Sequence, residues 1–219
     1  MKNILLFTIF GLLAHKAFSQ QTDTVDQKAI LKQIADANGY ENWNEVTEIA
    51  FTFNVDRDTT HFERSWVWRP NTNTITAISD TDTLTYNWSD MDSTAYKTNA
   101  GFINDKYWLL APFQLVWDMG NITTSHEKDA TAPISKKQLQ KLTIVYGNEG
   151  GYTPGDAYDL YFGEDLLITE WVFRESNQTE PSMITTWEDY MEVKGLKIAK
   201  MHRMSEGDFK LYFSGISVK

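Results

Sequence analysis

The chain has 219 residues, of which 42% are hydrophobic, and its 20 Lys and Arg against 30 Asp and Glu give a formal net charge of −10 at pH 7. This acidic balance disfavours nucleic acid and anionic membrane surfaces as partners. No cysteine is present, which excludes disulfides, thiol nucleophiles and an acylated N-terminal cysteine. Aromatic residues make up 14% of the chain, including eight tryptophans. That content favours β-structure and suits either an apolar or a sugar ligand.

Residues 1–19 predict a secretory signal peptide. Lys2 gives a positive start, the apolar core that follows is too short to span a bilayer, and Ala17 and Ser19 supply small residues at a cleavage site. An N-terminal membrane anchor is the alternative, which the short core and the polar sequence after it disfavour. We therefore expect a mature chain of residues 20–219 that forms one domain. It would be a monomer in the periplasm or the extracellular medium, and not a lipoprotein.

The first element of the mature chain is predicted to be an amphipathic helix over about residues 25–38. Thr24 and Gln27 form a capping box at its start, and Gly39 follows as a left-handed stop. Apolar residues recur at helical spacing along this stretch: Ile30, Leu31, Ile34 and Ala35. One side of the helix should therefore pack against the rest of the domain.

From residue 49 the hydrophobic pattern changes to a period of two, which is typical of strands with one buried face. In EIAFTFNVD and HFERSWVWRP, aromatic residues alternate with polar partners. Further stretches have the same character: TNTITAIS, DTLTYNW, KLTIVYG, DAYDLYFGEDLLITEWVFRE, SMITTWEDYMEV, LKIAKMHRM and DFKLYFSGISV. With hairpin turns near Gly163 and Gly207, these stretches predict roughly nine antiparallel strands after the helix.

Residues 92–134 interrupt this rhythm and are too long for a simple connection. They contain the apolar run YWLLAPFQLVWDMG at 107–120, in which Pro112 prevents one uninterrupted helix. We predict a short helix near 101–109, an irregular stretch and then a polar loop. Insertions of this kind in compact domains tend to be lids, binding loops or covering helices.

The predicted first helix is too small to cover the sheet. A helix of about 14 residues is roughly 21 Å long, whereas nine strands about 4.8 Å apart span roughly 40 Å. The remaining face must be covered by residues 101–120, by a ligand or by both. The large side chains of this segment should then point toward the sheet: Trp108, Leu110, Phe113, Leu115 and Trp117. Pro112 would divide the segment into two pieces that move separately.

The sequence offers little that would carry catalysis. Its four histidines, at positions 15, 61, 126 and 202, share no metal-ligand spacing, and no HExxH, GxSxG, P-loop or GxGxxG motif occurs. A Ser-His-Asp triad assembled from distant residues stays open. So does a hydrolase that uses Asp or Glu together with His61 or His202.

Two acidic clusters raise the question of a cation site, because hard cations need several oxygen ligands. The first consists of Asp56, Asp58, His61 and Glu63, and the second of Asp80, Asp82, Asp90 and Asp92. Neither has the glycine and closing glutamate of an EF-hand loop. We interpret both as solvated turns, so that neither a metal nor a cofactor is expected.

Five segments together resemble the periplasmic lipoprotein-carrier superfamily, that is, LolA-like proteins and related half-barrels: ENWNEVTEIAFTFNV, SWVWRP, YWLLAPFQLVWD, DAYDLYFGEDLLITEWVFRE and WEDYMEVKGLKIAKMH. Their order and spacing are similar to those of secreted proteins of this type from Bacteroidetes. The resemblance covers nearly the whole mature chain and implies an α+β fold. That fold is a strongly curved antiparallel sheet, a half β-barrel of about 9–11 strands, with an N-terminal helix and a helical or loop insertion covering its concave face. Carriers of this family hold acyl chains in the apolar concavity, beneath helices that open.

These features predict a non-enzymatic protein that binds a lipid, an acyl chain or another apolar ligand in the concave face. An envelope protein is a further expected partner. The predicted lining and lid residues are Phe51, Phe53, Trp66, Trp68, Trp108, Leu110, Phe113, Trp117 and Trp171. The alternative is a secreted carbohydrate- or envelope-binding β module, which would expose several tryptophans on a flat or grooved face.

Overall fold

The computed structural model describes residues 28–79 and 81–219. The predicted signal peptide, the capping box of Thr24 and Gln27, and Asp80 of the second acidic cluster lie outside the described residues. The described part is built from antiparallel sheets and few helices, which places the fold in the α+β class.

Helix α1 occupies residues 28–37 of the described part. Its predicted apolar side is buried: Ile30, Leu31, Ile34 and Ala35. Gly39 follows with a φ of 88°, a left-handed conformation that glycine adopts without steric cost. The 3₁₀ helix Tyr40–Glu45 comes next, and it was not predicted. The backbone N–H of Lys197 donates to the Asn38 carbonyl at 2.9 Å and so ties the end of α1 to a strand of the first sheet.

Seven strands form the larger sheet: β1 (Ile49–Arg57), β2 (Thr60–Arg69), β3 (Thr74–Ile78), β4 (Thr83–Asn87), β10 (Glu188–Val193), β11 (Leu196–Arg203) and β12 (Lys210–Val218). Their order in the sheet is β10-β11-β12-β1-β2-β3-β4. The last strand therefore pairs with the first, and Phe213 lies opposite Phe53 in that pairing.

Five strands form the second sheet: β5 (Ile122–Thr131), β6 (Gln138–Tyr146), β7 (Ala157–Phe162), β8 (Ile168–Arg174) and β9 (Met183–Thr186). They pair in sequence order. Strand β5 corrects the prediction of a polar loop after the apolar run. Ile122, Thr124 and His126 alternate with exposed neighbours along β5, but it is an edge strand whose half-buried face is partly polar. The sequence of such a strand lacks the alternation of apolar and polar residues, so it was predicted as a loop.

Between β9 and β10 the chain passes directly from the second sheet to the first. This stretch, SMITTWEDYMEV, was predicted as a single strand. The N–H of Trp187 donates to the Thr169 carbonyl of the second sheet at 2.7 Å, whereas the next residue, Glu188, pairs with Met201 of the first sheet. The stretch thus passes from one sheet to the other at Trp187. The single sheet of about 9–11 strands is corrected to twelve strands in two sheets within the described residues, and these sheets are not closed into a barrel.

Helix α2, Ser93–Trp117, is longer than the helix predicted near 101–109. It begins at Asp92, whose carboxylate accepts hydrogen bonds from the N–H groups of Thr94 and Ala95 at 2.9 and 2.8 Å. Such a cap stabilises a helix start by about 1 kcal/mol. The start of α2 was not predicted, because the cap residue and the polar residues of the first turns are also typical of a solvated turn.

A break at Leu110 divides α2. This residue has non-helical dihedral angles, with a φ of −124° and a ψ of 23°. Pro112 lies two residues later and lacks the N–H that would bond to the Trp108 carbonyl in a regular helix. The predicted break at Pro112 is therefore present as a kink inside one helix, and the predicted irregular stretch is absent from the described segment 110–117 apart from Leu110 itself.

Candidate functional site

The nine residues predicted to line an apolar site lie in and against one hydrophobic cluster of the described chain. They come from β1, β2, β8 and α2: Phe51, Phe53, Trp66, Trp68, Trp171, Trp108, Leu110, Phe113 and Trp117. Eight of them are buried, and Trp117 is half-buried. Leu115, also predicted to point inward, is buried as well. The sequence pattern thus identified side chains from both sheets and from α2 that share one interior.

Helix α2 runs through this interior rather than over it. Every residue from 105 to 115 is buried, so this stretch is enclosed on all sides. On the side of the second sheet, Tyr107 stacks on Tyr152 with ring centroids 3.8 Å apart, and Trp108 packs against Trp171 at 4.3 Å. A helix with apolar and polar residues buried on every face shows no clear amphipathic period, so only part of it could be predicted.

The second half of α2 packs against the 3₁₀ helix. Trp43 of that short helix lies with its ring centroid 5.5 Å from Phe113, 4.9 Å from Trp117 and 5.6 Å from Trp68 of β2. Sequence reasoning missed Trp43 because it lies outside both the helical and the alternating patterns. It joins α2, β2 and the chain after α1 into one aromatic layer.

An ion pair fixes the first half of α2 to β2. Arg64 donates from Nε to Asp105 Oδ2 at 2.5 Å and from Nη2 to Asp105 Oδ1 at 2.6 Å. The indole Nε1 of Trp66 donates to the same carboxylate at 2.8 Å. Asp105 is fully buried, and this burial raises the pKa of its carboxyl, while the hydrogen bonds from Arg64 act in the opposite direction. The pair therefore joins the helix to the sheet at a point where an unpaired carboxylate would be costly.

Lys106 lies next to Asp105 in sequence but faces a different environment. Its Nζ is 5.5, 5.2 and 5.1 Å from the ring centroids of Trp68, Trp88 and Trp117. It donates a hydrogen bond to Gln114 Oε1 at 3.0 Å. Burial lowers the pKa of the Lys106 ammonium to about 8.

Asp118 neighbours this group but is bound by other donors. Its Oδ2 accepts hydrogen bonds from Gln114 Nε2 at 2.8 Å, from the Tyr146 hydroxyl at 3.0 Å and from the backbone N–H of Tyr152 at 3.1 Å. The carboxylate thus closes α2 onto the second sheet and is linked to Lys106 by hydrogen bonds through the Gln114 amide. Its negative charge also raises the pKa of Lys106, against the larger effect of burial. Sequence reasoning assigned none of these polar residues to the interior.

Several buried polar atoms of the described residues have no hydrogen-bond partner. They include Nε1 of Trp68, Trp171 and Trp187, Oγ1 of Thr185 and Nε2 of His202. His202 faces the Thr186 carbonyl with its Nδ1 at 3.3 Å, and complete burial lowers the pKa of its imidazole to about 3. Unpartnered buried groups are few in native proteins, so their number in this aromatic interior calls for a physical explanation.

A cleft of about 300 Å³ lies between the first half of α2 and strands β2 to β4. Its lining includes Arg64 and Trp66 of β2, Ala77 and Ile78 of β3, Leu84 of β4, and Thr94, Lys97, Thr98 and Gly101 of α2. Trp66 belongs to the predicted set, so the cleft reaches the aromatic interior. Arg64, which holds Asp105, stands beside it. Through Trp66 this cleft joins the surface to the predicted site.

A larger groove of about 600 Å³ lies on the surface at the β1–β2 and β11–β12 turns. There His61 Nδ1 is 2.6 Å from Asp56 Oδ1, and His61 Nε2 is 3.2 Å from Glu63 Oε2. The hydrogen bonds of Asp56 and Glu63 raise the pKa of the His61 imidazole. Because both ring nitrogens face carboxylates, neither is available to activate a hydroxyl nucleophile as a catalytic base must. The wide opening and polar lining also make this groove a poor match for an apolar ligand.

The tryptophans are not displayed on the surface. All eight lie in the described residues, and each is buried or half-buried. A sugar-binding module that stacks ligands on exposed indoles would need the opposite arrangement. The described residues contain no group of three or more His, Asp or Glu side chains that could hold a metal ion. Among these residues, no helix combines the length and apolar character needed to cross a membrane.

The sequence matches no protein-family model and no characterised protein. The fold is similar to that of solved structures. A DUF1329 family protein from Desulfovibrio piger superposes with a TM-score of 0.50 at 10% identity, covering 88% of this chain and 92% of its own. A domain classed with outer membrane lipoprotein-sorting proteins, from Vibrio parahaemolyticus, superposes with a TM-score of 0.52 at 8% identity, covering 90% and 93%. The chain therefore has a fold similar to that of a lipoprotein-sorting domain along nearly its whole described length.

Proposed function

We propose that this protein binds a lipid, an acyl chain or another apolar ligand between α2 and the inner faces of the two sheets, and that it is not an enzyme. The inner faces of the two sheets take the place of the predicted concave face. Within the predicted lid, residues 101–120, the part that opens is the part before the break at Leu110. The protein is exported by the signal peptide at residues 1–19 and works as a monomer in the periplasm or outside the cell, where an envelope protein is a further partner.

The observation that carries this proposal is the break in α2. A helix that only filled a core would gain stability from regular hydrogen bonding, whereas this one is interrupted at Leu110 inside its most buried stretch. The break separates the half that borders the cleft, residues 93–109, from the half that packs on Trp43. The first half can therefore move while the second half stays on the 3₁₀ helix.

Movement of the first half would open the interior at the cleft. Phe102 now contacts Trp66 and Trp68, with ring centroids 5.4 and 5.7 Å apart, and it would leave these rings when the helix moves. An acyl chain that follows the same path meets Trp66 first and the other predicted lining residues beyond it. The ligand then occupies space that the helix side chains occupy in the closed form.

A bound acyl chain can offset the loss of the ion pair between Arg64 and Asp105. Breaking the buried contact between Arg64 and Asp105 costs about 3–5 kcal/mol if one charge stays buried, whereas each buried methylene contributes about 0.8 kcal/mol. Burial of roughly six methylenes therefore offsets the cost. A chain of fatty-acid length provides more than that, and the excess compensates for apolar contacts that Phe102 loses on opening.

The fold likeness supports the same class of function. The Vibrio parahaemolyticus domain is described as a lipoprotein-sorting protein, and lipoprotein sorting requires a place for acyl chains outside a membrane. The surface dyad of His61 and Asp56 supports the non-enzymatic part, because Glu63 occupies the ring nitrogen that a hydrolase would need.

The experiment is native mass spectrometry of the protein as purified, together with lipid extraction and titration with a fluorescent fatty acid. We expect a ligand mass in the spectrum and saturable binding. Ala77→Phe fills the cleft from β3 and should abolish binding while the circular dichroism spectrum stays unchanged. Ala100→Phe adds the same ring to the exposed side of α2 and serves as the matched control. The proposal fails if no lipid co-purifies and no saturable binding is found.

A further inference from the structure

The interior of the described chain holds one buried positive charge that forms no ion pair. Each buried acid of the described core has its own donors. Asp105 pairs with Arg64 and Asp159 with Arg174, whereas Glu170 accepts from two backbone N–H groups. Asp118 accepts from the Gln114 amide, the Tyr146 hydroxyl and the Tyr152 backbone N–H. Lys106, only 5% exposed, forms no ion pair within 4.0 Å in the described part of the chain. A buried ammonium without a carboxylate partner is uncommon, because burial of an unpaired charge is unfavourable.

The present neighbours of Lys106 compensate its charge only in part. The faces of Trp68, Trp88 and Trp117 attract the ammonium through cation–π interactions. The only hydrogen bond recorded for its Nζ in the described structure goes to the neutral Gln114 side chain, although an ammonium carries three donors. Asp118 acts on this ammonium electrostatically, but its carboxylate is bound by other donors. An anion brought to this position would therefore form the ion pair that Lys106 lacks in the described structure.

A second donor without an acceptor belongs to the same side-chain cluster. Nε1 of Trp68 is buried and has no hydrogen-bond partner, and the Trp68 ring is one of the three that surround Lys106. Trp68 as a whole is 6% exposed. An indole N–H can only donate, so it requires an acceptor from elsewhere. Two buried donors, one charged and one neutral, thus lack an adequate acceptor within one side-chain cluster.

We propose that Lys106 and the Trp68 indole N–H bind the anionic head group of the ligand, so that the protein takes an amphiphile with an apolar chain and a carboxylate or phosphate head. This inference rests on the proposed function, and it names the ligand class for the same interior. The head group replaces the Gln114 oxygen as the acceptor for Nζ. The apolar chain lies along the aromatic residues that adjoin Trp68, among them Phe102 and Trp66.

The charge balance favours an anion over the other head groups. A cation would face Lys106 across a site of low polarity, where like charges repel strongly. A neutral alcohol would satisfy the donors but would leave the ammonium unneutralised. A monoanion satisfies both donors and forms a charge-assisted hydrogen bond, which is stronger than a neutral one.

The test compares ligands that have the same chain and different heads. Laurate, dodecanol and dodecyltrimethylammonium compete with a neutral fluorescent probe, Nile red, for the wild-type protein. We expect laurate to bind at least about tenfold more tightly than dodecanol, and the ammonium compound to bind most weakly. Dodecyl phosphate, compared with laurate, identifies which anionic head is preferred. Equal affinities of laurate and dodecanol for the wild-type protein overturn the inference without any variant.

A matched pair of variants assigns the preference to Lys106. Lys106→Met removes the charge from a buried chain of similar length and should bring laurate to the affinity of dodecanol, while dodecanol itself binds as before. Lys137→Met removes a charge from an exposed position and should leave the preference for laurate intact. A laurate preference that survives in Lys106→Met contradicts the inference and leaves the proposed function standing. If none of the compounds binds any of these proteins, the proposed function fails as well.

Discussion

Arg64 of β2 and Asp105 of α2 form a two-point ion pair between a sheet and the helix that it surrounds, at 2.5 and 2.6 Å. They are 41 residues apart in the sequence. The guanidinium also lies 5.3 and 5.9 Å from the ring centroids of Phe53 and Trp66. Because the carboxylate is fully buried and the arginine is partly exposed, the pair closes the interior at the edge of the cleft.

Replacement of Arg64 by methionine should therefore destabilise the protein strongly. It leaves the Asp105 carboxylate buried with the Trp66 indole and Asn104 as its remaining side-chain donors. We expect the free energy of unfolding in urea to fall by about 3–5 kcal/mol. The control is Arg69→Met, which removes a pair with Glu48 at a more exposed position and should cost only about 0–1 kcal/mol. Similar losses in the two variants would show that the Asp105 pair does not hold α2 in place.

Gly101→Ala tests the same contact from the helix side. A Cβ at this position would lie 2.8 Å from Arg64 Nη1, so the guanidinium would have to move away from Asp105. Alanine should therefore not give the gain of about 1 kcal/mol that it gives over glycine in a free helix. In the Arg64→Met background the same substitution should become stabilising. Additive effects in this double-mutant cycle would contradict the proposed crowding.

The buried imidazole of His202 should make the protein less stable in mild acid. Its pKa is lowered from 6.5 to about 3, so the folded state binds fewer protons than the unfolded state between these values. The free energy of unfolding then falls as the pH decreases below 6.5, by up to about 1.4 kcal/mol per pH unit. His202→Phe keeps an aromatic ring against Trp108 and Trp187 and should flatten this slope between pH 6.5 and about 5.

The exposed His61 should behave in the opposite way. Asp56 and Glu63 raise the pKa of its imidazole, so the stabilisation is present below 6.5 and is lost as the pH rises through the raised value. His61→Gln should therefore lower the free energy of unfolding by a constant amount below pH 6.5, and should abolish the decline that His61 causes as the pH rises above 6.5. Parallel pH curves for wild type, His202→Phe and His61→Gln would refute both assignments.

Pro112→Ala should make α2 more regular. Alanine supplies the N–H that can bond to the Trp108 carbonyl, which removes one cause of the break at Leu110. If the first half of the helix opens for ligand, a stiffer helix should slow the association of a fluorescent fatty acid in stopped-flow experiments. Amide exchange in residues 93–109 should slow in parallel. An association rate equal to that of the wild type would place the hinge elsewhere.

The alternating strands and the apolar side of α1 could be predicted because local pattern determines them. Phe51, Phe53, Trp66 and Trp68 follow a period of two, and each is buried as expected. Strand β5 was missed because an edge strand with a partly polar inner face has no such pattern. The change of sheet at Trp187 was missed because one extended stretch continues through it, and only its partners change.

The polar part of the site could not be predicted from local pattern. Asp105 and Lys106 stand in the sequence like residues of a solvated helix face, yet both are buried. What places them inside is a contact with Arg64 in one case and with three indole rings in the other, and both contacts join distant parts of the chain. The aromatic lining could be predicted because the hydrophobicity of each apolar residue indicates burial without knowledge of its partners.

The most direct test of ligand binding in the interior is quenching of the tryptophan fluorescence by a brominated stearate. Bromine quenches an indole only in near contact, and the interior contains Trp66, Trp68, Trp108 and Trp171. We predict strong quenching that saturates at one ligand per chain, with unbrominated stearate competing and causing no quenching of its own. Binding of stearate without quenching by its brominated form would place the chain outside the interior and contradict the account.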